Sequence, residues 1–138
     1  MMPKIAAWLY TIVAAGLILF QLALAAGAPW GEFAMGGAFP GQFPPTLRVA
    51  AVNQAALMVG MVTVVLARVG IFFTGWVRRT RWLIWVVVGY GVIGLILNLI
   101  TTSTNERALW APVALVMLVS SVIVARGTAP KGNNEYIR

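Results

Sequence analysis

Four long apolar runs, about Ile5 to Ala26, Val49 to Ala67, Trp82 to Ile100 and Ala108 to Ala125, take up most of the chain, and no charged residue lies inside any of them. A bilayer core about 30 Å thick is crossed by ~20 apolar residues rising about 1.5 Å each, so every run is long enough to span. Backbone groups in lipid must be satisfied within the protein, and a helix does this inside one segment. The expected fold is therefore all-α: an integral membrane four-helix bundle occupying residues 1–126, followed by a flexible tail over 127–138. Lys4, the first run and Leu24-Ala25-Ala26-Gly27-Ala28 also have the layout of a secretory signal. The run exceeds the roughly 7–15 apolar residues of such signals, which favours a retained first span.

Composition removes most alternatives. A hydrophobic fraction of 61% with 9% charged residues leaves too little polar surface for a water-soluble domain, where roughly 25% of residues are charged. The net charge of +7 sits at span ends, where it reports topology and contact with anionic lipid; no nucleic-acid partner is expected. There is no Cys, His or Asp, and the only carboxylates are Glu32, Glu106 and Glu135. Disulfides, thiolate or imidazole metal sites, haem attachment and most acid–base constellations are thereby excluded, and no cofactor or metal is expected.

The basic residues sort by side. Lys4, Arg68, Arg78, Arg79, Arg81, Arg126, Lys131 and Arg138 fall at one end of the spans and only Arg48 and Arg107 at the other. The positive-inside rule then puts both termini and the basic loop 68–81 in the cytoplasm, and the loops 27–47 and 101–107 outside. Arg78, Arg79 and Arg81 are expected to contact anionic headgroups. The apolar stretch Val69 to Val77 either extends the second helix or lies along the inner interface, with Trp8, Trp76, Trp82 and Trp85 as an inner aromatic belt.

The long outer loop alternates Gly and Pro with Trp30, Phe33, Phe39 and Phe43, which argues against a free linker: the rings either lie in the interfacial layer or fold back over the bundle mouth. Thr46 after Pro44-Pro45 is expected to cap the second helix. Ser103 followed by Glu106 matches a capping box for the fourth.

Helices in lipid associate through small and weakly polar faces. Spacings of three and four mark Ala7, Thr11, Ala14, Gln21 and Ala25 on the first span, and Asn53, Ala56, Gly60, Thr63 and Ala67 on the second. They mark Gly91, Gly94, Asn98 and Thr101 on the third, and Trp110, Ala114, Met117, Ser121 and Ala125 on the fourth. Gln21, Asn53, Asn98 and Glu106 all fall within roughly 10 Å of the outer boundary at 1.5 Å per residue. Trp30, Glu32, Arg48, Arg107 and Trp110 are near enough in the chain to close over them. These nine residues form the candidate ligand-binding set.

With few catalytic residue types, the leading expectation is a non-catalytic accessory, scaffold or self-associating subunit, in a homo-oligomer or a larger membrane complex. One alternative is a small transporter or channel, or a binder of a lipid or small polar ligand in an outward-facing cavity. A second is a lipid-modifying enzyme using Glu106 or Glu32. No span carries the acidic residue that proton-coupled four-span exporters need. The stretches Gly27-Ala28-Pro29-Trp30-Gly31-Glu32, Gly36-Gly37 and Asn105-Glu106-Arg107-Ala108-Leu109-Trp110-Ala111-Pro112 resemble those of small four-span bacterial membrane proteins. That resemblance implies a bacterial plasma membrane and no particular activity.

Overall fold

The computed structural model describes residues 2–72, 75 and 78–127. It contains four helices, α1 (Met2–Ala26), α2 (Pro45–Arg68), α3 (Thr80–Ile100) and α4 (Thr104–Arg126), and two short 3₁₀ turns, Gly31–Phe33 and Met35–Gly37, between α1 and α2. No strand occurs among the described residues. All four helices are long and apolar enough to cross a membrane, as in a multi-pass helical membrane protein. Each begins two to four residues before its apolar run, because the first helical turn can be polar and still outside the hydrocarbon. The tail beyond Gly127 and residues Phe73, Thr74, Trp76 and Val77 lie outside the described residues, and with them the expectations of a flexible tail and of Trp76 in a belt. Trp8, Trp82 and Trp85 are exposed on the helices.

Local signals explain the helix ends. Pro45 occupies the first turn of α2, where its missing N–H costs nothing, and Pro44 is the N-cap; Thr46 lies inside the helix and caps nothing. The Ser103 hydroxyl accepts from the Glu106 backbone N–H at 3.2 Å, as the capping pattern predicts. The return half of that box is replaced by Thr101, whose Oγ1 accepts from the Ser103 N–H and donates to the Glu106 carboxylate. α2 stops at Arg68 instead of continuing into the basic loop. Gly70 adopts φ +76°, and the bonds Gly70 N–H to Ala67 and Ile71 N–H to Leu66 close the end in a Schellman turn.

The helices run up and down, with neighbours α1–α2, α2–α3, α3–α4 and α4–α1 around the ring. The start of α1 and the end of α4 lie at one end, the lower one, where Gly127 packs on Pro3; the loops 27–44 and 101–103 form the upper end. α2 and α3 are the most loosely joined neighbours.

The packed core sits in the lower half. Ala6, Ala7, Tyr10 and Ala14 of α1 meet Met58, Met61 and Val65 of α2, Ile84 and Val87 of α3, and Met117 and Val124 of α4. The small-residue faces of α1 and α4 turn inward as expected, and Gly91 of α3 lies against Leu118. The face assigned to α2 does so only at its lower end, where Ala67 is buried: Asn53, Ala56 and Gly60 are exposed, while Ala51, Ala55, Met58 and Val65 are buried. Gln54, about 100° from Asn53, is what points inward, because it bonds Tyr90 of α3.

Candidate functional site

Above this core the four helices separate around a cavity of about 630 Å³, within the roughly 300–1,000 Å³ typical of small-molecule sites. Its floor is formed by Tyr10, Met58 and Met117, and its walls include Leu17, Phe20, Ala51, Gly94 and Val113. The Gln54 amide donates to the Tyr90 hydroxyl across the α2–α3 seam, and both side chains face the cavity. From Met58 to the start of α2 is 13 residues, so the cavity runs about 20 Å below the upper end.

The upper rim is polar. Gln21, Asn98, Thr101 and Glu106 line it. The Asn98 amide N–H donates to Gly94 O at 2.7 Å, leaving its side-chain oxygen as an acceptor, and the Glu106 carboxylate accepts from Thr101. The small-residue step at Gly94 deepens the space here: a Cβ added at that position would meet nothing within 4 Å.

The first loop forms the roof. Trp110 Nε1–H donates to Phe33 O at 2.7 Å and the Ser103 hydroxyl to Glu32 O at 3.1 Å, tying the loop to α4. Arg48 Nε donates to Phe43 O at 2.8 Å, tying it to α2. The Trp30 ring stacks on Phe20, which meets Trp110 edge-on at 4.8 Å. Leu24, Phe43 and Ala51 pack beneath as a small second core. Within the loop, Gly31 donates to Gly41 O at 2.9 Å and lies so close to Phe39 that no side chain fits. Gly and Pro here make an ordered lid, and Phe33, Ala34, Met35 and Phe43 face the cavity from above. Met35 holds φ +54°, the one described non-glycine residue in the left-handed region.

Of the nine candidates, Gln21, Asn98, Glu106 and Trp110 line the cavity. Trp30, Arg48 and Arg107 do not; Trp30 and Arg48 hold the roof, and Arg107 donates to the Thr101 carbonyl at 2.5 Å. Glu32 contributes its backbone carbonyl, with its side chain exposed. Asn53 faces away from the bundle. Gln54, Tyr10 and Tyr90 were missing from the set. The sequence signal for them was that each is a polar group within an apolar run, a placement that costs energy without a partner. No group of three metal-ligating side chains occurs among the described residues. Compared with family models, with curated proteins and with solved structures, the chain matches none of them.

Proposed function

We propose that the protein is a non-catalytic ligand-binding protein of a bacterial plasma membrane, with its cavity in the outward-facing half and both termini in the cytoplasm. The observation carrying this reading is a cavity of about 630 Å³ with apolar walls and a polar rim under a pinned roof. The distribution of Lys and Arg supports the orientation. A passage through a single copy would have to cross the lower core, where Ala7, Val65 and Ile84 are fully buried, which argues for holding over conducting. Arg78, Arg79 and Arg81, with Arg78, Arg79 and Arg81 all exposed, suit contact with anionic headgroups on the inner side.

Gly94→Leu fills the open space beside the rim and replaces a helix-interior glycine, a change worth up to about 1 kcal/mol of added helix stability. The expected result is a variant at least as heat-stable as the wild type that loses any ligand mass carried through mild solubilisation, read by native mass spectrometry. Wild-type protein with no bound mass in a lipid-derived preparation, or a Gly94→Leu variant that keeps it, would refute the cavity reading.

A self-associating subunit is the second reading, favoured by Asn53. Its amide is exposed beside Ala56 and Gly60, about 12 Å along α2 from its first residue, at 1.5 Å per residue. An amide facing lipid gains from a partner helix, by about 0.6 and up to ~2 kcal/mol. Chemical crosslinking in membranes should give a dimer that Asn53→Leu weakens several-fold; an unchanged dimer yield removes this face from consideration.

A further inference from the structure

Resting on the cavity reading above, we infer that the ligand is a neutral ring compound of the quinone or cyclic-ketone class, held at the cavity floor by a carbonyl that accepts from the Tyr10 and Tyr90 hydroxyls. The floor supplies the donors. Tyr10, Gln54 and Tyr90 come from three different helices and all line the cavity. The Gln54 amide N–H donates to the Tyr90 oxygen, which leaves the Tyr90 O–H free to donate in turn. The Tyr10 side chain is buried at 3% exposure, and its hydroxyl has no hydrogen-bond partner among the described residues. The two tyrosine hydroxyls stand close enough to act on each other electrostatically. A clasp between helices accounts for the Gln54–Tyr90 bond alone; it leaves the Tyr10 hydroxyl, on a third helix, without a role.

The walls favour a ring. Phe20, Phe33, Phe43 and Trp110 line the cavity together with the two tyrosines, so aromatic surface meets an occupant from the side and from the roof. Flat rings pack on such surfaces offset or edge-on. The floor also disfavours a charge, because no Lys or Arg is among the residues lining the cavity. A carboxylate or phosphate set there would be desolvated with no cation beside it. A carbonyl oxygen is neutral, carries two lone pairs and takes two O–H donors at once. Buried hydroxyls without an acceptor cost energy, and a carbonyl placed between them removes that cost.

Two probes with one carbon skeleton isolate the carbonyl: menadione, a methylated naphthoquinone, and 2-methylnaphthalene, which lacks both oxygens. Each is equilibrated with the full-length protein in detergent, and binding is read by equilibrium dialysis against protein-free micelles. The expected result is one menadione per chain, bound about tenfold or more tighter than 2-methylnaphthalene. Tyr10→Phe and Tyr90→Phe keep both rings and should each weaken menadione about tenfold, with 2-methylnaphthalene held within about twofold as the sign of an intact cavity. Equal binding of the two probes to the wild type overturns the carbonyl assignment and leaves the cavity reading intact. Menadione binding that is unchanged in both phenylalanine variants, or that falls no further than 2-methylnaphthalene binding does, overturns the assignment of the floor. Failure of both probes to bind overturns the inference as a whole, while the Gly94→Leu comparison of co-purified ligand decides the cavity reading separately.

Discussion

Gly31→Val should unseat the roof and leave the bundle standing. A Cβ on Gly31 would fall 1.9 Å from the Phe39 carbonyl oxygen and 2.7 Å from that of Gly41, both backbone atoms that cannot swing aside. Relief requires the Phe39–Gly41 strand of the loop to move, which also breaks the 2.9 Å bond from Gly31 N–H to Gly41 O. Overpacking of this kind costs roughly 1–3 kcal/mol and sometimes more, and a clash with fixed backbone belongs at the upper end. Gly31 lies outside the four helices and takes no part in their contacts with one another, so helical content by circular dichroism should stay at the wild-type level. Limited proteolysis is expected to cut within 27–44 at least tenfold faster. A variant as protease-resistant as the wild type would mean that the roof tolerates a side chain there and is not a close-fitted lid.

Trp110→Ala should be the second most damaging change, because one side chain closes three contacts. Its indole N–H holds the Phe33 carbonyl, its ring receives the edge of Phe20, and its face lines the cavity. Truncating a fully buried Trp costs about 3–5 kcal/mol; for this half-buried one about 2–3 kcal/mol is expected. Trp110→Phe keeps the ring against Phe20 and removes only the N–H, for a net loss of about 1 kcal/mol. Thermal unfolding of both variants in one detergent checks the order. If Phe costs as much as Ala, the hydrogen bond to the roof dominates; if Phe costs nothing, the bond contributes no stability.

Features with local causes were legible in the sequence. The four spans follow from run length and charge exclusion, and the α4 cap from the Ser103–Glu106 spacing. The upper part of the α2 face was misread because that helix carries two series at helical spacing: Asn53, Ala56, Gly60, Thr63 and Ala67, of which only Ala67 is buried, and Ala51, Ala55, Met58 and Val65. Periodicity identifies a face without saying which one turns inward. The decision rests on Gln54 finding Tyr90, 36 residues away. The concentration of polar groups at one end did mark the rim residues Gln21, Asn98 and Glu106. What composition could not reveal is that Trp30 and Arg48 serve the roof, since their partners are a ring on α1 and a carbonyl in the loop itself.

The two bonds that fasten the roof to α4 join residues 71 and 77 positions apart, whereas the Arg48 tie to α2 spans only five. Closing a loop costs entropy that grows with its length, so contacts this distant wait for the intervening helices to be in place. Assembly is therefore expected to run through two hairpins, α1–α2 carrying the loop and α3–α4 carrying its anchors, with the lid latched last. The loosest seam of the bundle, between α2 and α3, lies on a line where those hairpins meet. A molecule already lying in the cavity as they dock would be enclosed by that final step, which would make loading a stage of assembly.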